Sequence, residues 1–140
     1  MSPGGIGGPS FPCGLRIVRC VYVRIAVDLS PEAAVSALRA ELVRRGITEY
    51  AVVDHGHDMA QAGAPGFTAW TLVFGNPAAG ARVLAADLAA AVDIPLRIAV
   101  IKGESGTELV YRHMRTLLGA ELGEVADALT GALRDIAASV

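Results

Sequence analysis

From Leu15 to Val27 apolar and other residues alternate. Leu15, Ile17, Val21, Val23, Ile25 and Val27 fall on one parity, Arg16, Cys20, Tyr22 and Arg24 on the other. Successive side chains of a strand point to opposite faces, so the pattern predicts a strand with one buried and one mixed face. Ser30, Pro31 and Glu32 then supply a helix cap, a proline at the first helical position and an acid near the positive dipole end. Ala34, Leu38 and Leu42 recur on one face, and Gly46 offers a left-handed stop, which predicts a helix from Pro31 to Arg45.

Tyr50 to Asp54 reads as a second strand, and His55 to Gly66 as a short helix plus loop. Thr68 to Phe74 is predicted as a third strand with Trp70, Leu72 and Phe74 on one face. Asn76 and Pro77 repeat the cap-then-proline signal, opening an alanine-rich helix expected to reach Val92. Asp93, Ile94 and Pro95 break it. Leu96 to Ile101 and Thr107 to Tyr111 form strands joined through a turn at Gly103–Gly106, a hairpin. A final helix from Leu122 to Ala138 carries the stripe Leu122, Val125, Leu129, Leu133, Ile136 and Val140.

The predicted order is β-α-β-β-α-β-β-α. Short connections without strict β-α alternation imply an α+β domain of two layers, a largely antiparallel five-stranded sheet with helices on one face. The other face, carrying Tyr22 and Arg24, is left semi-polar and uncovered, a place for a dimer partner or a ligand. Residues 15–140 are expected to form this single domain. Residues 1–14 are expected to be a flexible tail, since four Gly and two Pro fall within the first nine positions.

The chain has 140 residues, 53% hydrophobic and only 19% charged, with a net charge of −2. Disorder over most of the chain is excluded. The charge balance gives no footprint for nucleic acid or anionic membranes, and no apolar run is long enough to span a bilayer. The start lacks the basic and apolar regions of a secretory signal. Cys13 and Cys20 have opposite parity in the strand register, so they are expected to be reduced thiols in a cytoplasmic protein.

Candidate chemistry gathers in two places. Asp54, His55, His57 and Asp58 spell DHGHD. Imidazoles and carboxylates suit transition metals, and His55 with His57 would be the metal ligands, completed through folding by His113 or Asp93. The competing reading makes Asp54 a helix cap with both histidines in solvent. His55 alone can also serve as a general acid or base, because an imidazole titrates close to neutral pH. No nucleophile accompanies it, and GxSxG, HExxH and GxxxxGK[ST] are all absent. The second place is Phe74-Gly75-Asn76-Pro77, where a helix start offers amide donors to a small anion or carboxylate. The competing reading makes this turn structural. Tyr111, at a strand end, either contacts a ligand or buries its ring.

Taken in order, Asp54-His55, Ala62-Gly63, the FGNP block, Gly80, the Asp93-Ile94-Pro95-Leu96 block, Gly106 and Tyr111 resemble the bacterial and archaeal family-302 domain of unknown function. The resemblance runs from Val21 to Leu118. It implies a TATA-binding-protein-like α+β fold, often packed as homodimers, and a site position but no reaction. Three departures stand out. Phe67, Thr68 and Ala69 occupy the place of the family's frequent Arg-Pro-Thr run. Ala81 replaces a common threonine, and Asp87 and Leu88 stand where a proline usually interrupts the helix.

The leading expectation is therefore a homodimeric small-molecule-binding or sensing module. Its ligand would lie near the FGNP turn, with Asp54, His55 and Tyr111 as polar contacts. A structural or interaction domain is the next reading, and a histidine-based metal protein or enzyme the third.

Overall fold

The computed structural model describes residues 22–140. The expected tail 1–14, the first half of the Leu15–Val27 strand, and Cys13 and Cys20 lie outside the described residues. The elements run β1 (Tyr22–Val27), α1 (Pro31–Arg44), β2 (Thr48–Asp54), α2 (His55–Gln61), β3 (Ala69–Gly75), α3 (Pro77–Ala86), β4 (Leu96–Gly103), β5 (Gly106–Arg112) and α4 (Gly123–Ala138). Short 3₁₀ turns occupy Leu88–Val92, Met114–Thr116 and Ala120–Leu122.

All five strands join one sheet in the order β1-β5-β4-β3-β2, every neighbouring pair antiparallel. The alternation read in the sequence sets its faces. Val23, Ile25, Leu109, Ile98, Val100, Leu72 and Phe74 point into the core, which α1 closes with Ala34, Leu38 and Leu42 and α4 with Leu133 and Ile136. Ser30 accepts the amide of Ala33 at the start of α1, and Gly46, at φ 68°, stops it. At the far ends of these two helices Arg45 leaves α1 to reach the Asp135 carbonyl and the Ser139 hydroxyl of α4. The expected α+β architecture is thus the one observed.

Several boundaries differ. Strand β2 begins at Thr48, two positions before the alternation becomes visible, because the register shifts between Glu49 and Ala51. The extra residue, Tyr50, bulges out and breaks the period of two. The alanine-rich helix does not run unbroken to Val92. It ends at Ala86, and Asp87, in extended conformation, caps the 3₁₀ turn by accepting the Ala89 amide at 3.0 Å. One helix also departs from the one-face layout. Helix α2 stands by the side of β3 that faces away from the core, where His55 reaches Thr71.

Candidate functional site

The FGNP turn is where the sheet meets the helical layer. Phe74, near the end of β3, is a core residue only 1% exposed. Gly75 ends the strand, and a side chain there would make ordinary contacts at 3.5 Å with Pro95 and 3.7 Å with the Tyr50 ring. Asn76 has extended dihedrals and accepts the Ala78 amide at 2.9 Å, and Pro77 starts α3. Asn76 and Pro77 therefore do the structural job that their residue types favour.

The turn also opens on a cavity of 340 Å³. Phe74 and Leu96 of the sheet, Gly80 and Val83 of α3, and Leu129 and Ile136 of α4 enclose it, with Tyr50 and Pro95 nearby. Gly80 lies beside Ile94, where an added methyl would make an ordinary van der Waals contact at 3.8 Å with its terminal carbon. Ile94–Pro95 is a cis peptide bond. The two blocks that stood some twenty residues apart in sequence are thus side by side here, Gly75 on Pro95 and Gly80 on Ile94. The lining is apolar apart from Asn76 and the Tyr50 hydroxyl. Such a space binds by excluding water from carbon surface, about 25 cal/mol for each Å² covered. It holds no charged side chain.

The other candidates do not join this cavity. Asp54 pairs with Trp70 at one end of β3, whereas Gly75 is at the other, about 17 Å away at strand rise. Asp54 caps α2 by accepting the His57 amide at 2.9 Å. His55 hydrogen-bonds the Thr71 hydroxyl at 2.7 Å. Tyr111 lies on β5, is 4% exposed and belongs to a second cavity. Burial raises the pKa of its phenol, so it stays a protonated donor.

The structure does not bring the metal pair together. His55 and His57 are on a helix, as the sequence suggested. Two positions on a helix are about 200° apart, so the rings diverge. His55 turns to Thr71 and His57 is exposed. Among the described residues no group of three or more His, Cys, Asp or Glu is placed to hold a metal.

Sequence reasoning missed the half of the cavity that α4 supplies. Ala128 and Ala132, one turn apart beside Leu129 and Ile136, leave the room. Small residues within an apolar stripe are the only signal there, and close helix packing gives the same one.

An antiparallel sheet backed by α1, α3 and α4, with an apolar cavity under one end, defines the class: a small two-layer α+β domain with a preformed pocket. This chain belongs to the family described as Domain of unknown function DUF302, whose model matches residues 23–140. The chain also shares its fold with an uncharacterised conserved DUF302 protein of Bacillus stearothermophilus, known from a crystal structure. The two superpose with a TM-score of 0.73 at 16% identity, over 85% of this chain and 94% of that one. No curated protein matches. Among the described residues no helix is long and apolar enough to cross a membrane.

Proposed function

We propose that this protein is a small-molecule-binding module whose pocket is the cavity between the FGNP turn, the Ile94-Pro95-Leu96 segment and α4. The observation that carries this reading is the convergence of FGNP, Gly80 and the Ile-Pro-Leu block on one apolar space of 340 Å³. That is within the range of pockets for compact organic ligands. The ligand class is a neutral or weakly polar molecule, oriented by the Tyr50 hydroxyl or the Asn76 amide at the rim.

The neutral fluorophore N-phenyl-1-naphthylamine tests it. Its emission should rise on binding at one site per chain. Ala132→Phe, which fills the space from α4, and Gly80→Leu, which fills it from α3, should each weaken binding about tenfold or more. A flat titration overturns the reading, as does unchanged binding in a folded filling variant.

A second copy of the chain is the next reading, seated on the part of the outer sheet face that α2 leaves open. That part presents Val73, Ala99, Ile101 and Val110 half-buried. Sedimentation velocity should then show a dimer that Val73→Glu converts to monomer. In the monomer the new carboxylate would face Arg97, its cross-strand partner. Sedimentation as a monomer at every concentration would remove this part of the reading.

A further inference from the structure

The ladder between β4 and β5 ends at Ala99↔Val110, yet both strands continue. Beyond that pair β4 stays with β3, and β5 stays with β1. β5 then turns into Met114–Thr116, which is tied to α4 through the Met114 amide and the Thr130 hydroxyl at 2.9 Å. A gap of 260 Å³ opens between the parted strands. Its mouth, on the outer face of the sheet, carries Tyr22, Arg97 and Arg112; its depth is lined by Leu96, Tyr111 and Leu133.

We propose that this gap binds a small amphipathic monocarboxylate, its carboxylate on Arg97 and Arg112 and its apolar end between the strands. Four observations support it. Arg97 and Arg112 both line the mouth of the gap. Like charges gathered there repel, and neither arginine has a carboxylate at ion-pair distance among the described residues. Arg112 is already oriented, its guanidinium 5.3 Å from the Tyr22 ring centre and 3.4 Å from the Tyr22 hydroxyl. The depth of the gap is apolar, lined by Leu96, Leu133 and the side chain of Tyr111.

The charge count selects the ligand. Arg97 and Arg112 face one acid at the rim, Asp93, leaving one positive charge. A carboxylate cancels it, whereas a phosphate dianion overshoots. A planar carboxylate also suits the guanidinium fork. The volume lies below that of drug-sized sites, which favours a short chain or a single ring.

The test titrates the ¹⁵N-labelled full chain with hexanoate, and with hexanamide as its uncharged isostere. Hexanoate should saturate one site and shift the amides of Arg97, Tyr111, Arg112 and Leu133. Hexanamide should bind about tenfold more weakly, as should hexanoate to the double variant R97Q/R112Q, because the charge-assisted hydrogen bonds are gone. Both arginines are exposed, so the variant keeps its core. The proposal is overturned by non-saturating shifts, by equal binding of hexanamide, by an unaffected double variant, or by shifts centred on Asn76 and Gly80.

Discussion

Gly56 shows how much one missing side chain can decide. It is the glycine of DHGHD, and an added Cβ would overlap the Phe67 carbonyl oxygen. Alanine is the better helix former by up to about 1 kcal/mol. The obstacle is backbone rather than a movable side-chain end, so the overlap wins. Gly56→Ala should lower stability by about 1–3 kcal/mol, read by urea melts. The histidines of the motif drew attention as metal ligands, while its glycine carries the tighter constraint. Sequence alone conceals this, because Phe67 is eleven positions away and its approach is a tertiary fact.

Glu41 gives the residue scale its pH dependence. Arg44 and Arg45 both hydrogen-bond it, and they lower its carboxyl pKa from 4.5 to about 2. A carboxylate with a depressed folded pKa stabilises the fold above its unfolded value. That contribution fades as pH falls from about 4.5 toward about 2. The melting temperature should therefore drop more steeply over that window in the parent chain than in Glu41→Gln. Parallel thermal melts at pH 6, 4 and 2.5 (roughly spanning the titration) check it.

At the level of elements, caps and stops were legible and interruptions were not. Ser30-Pro31 and Asn76-Pro77 announce helices that begin where expected, because a side-chain acceptor followed by proline has a local mechanism. The break at Asp87 uses the same chemistry without the proline, inside a run of alanines that carries no periodicity to contradict a continuous helix. Asp87→Ala should cost about 1 kcal/mol, measured by chemical denaturation. The α4 stripe was legible as a core-facing surface. Leu133, fully buried in it, should cost about 2–5 kcal/mol when cut to alanine. That the same helix also leaves a pocket against α3 was not legible. A stripe tells which side faces inward, and the volume left over depends on how two such sides meet.

The whole molecule follows from alternation and short connections, and both were visible. Parity in β1 and β3 placed the core face correctly, and the FGNP and Ile-Pro-Leu blocks fall together at one end of the sheet. Which strands adjoin, and where β4 and β5 part, depends on pairing across the chain, which no local pattern encodes. For that reason Asp54, His55 and Tyr111 could be grouped with the FGNP turn in sequence and yet be distributed over separate parts of the sheet in space.

The order β1-β5-β4-β3-β2 has a consequence for how the chain is made. Strands β2 to β5 form a meander in which each pairs with the next, so they can assemble as they leave the ribosome. β1 emerges first and docks last. Its partner β5 lies eighty to ninety residues downstream, from Val27↔Thr107 to Tyr22↔Arg112. Until β5 appears, Val23, Ile25 and Val27 have no strand to pair with, and the growing chain carries an unpaired apolar ribbon. Closing that pairing is the act that turns a meander into a finished domain.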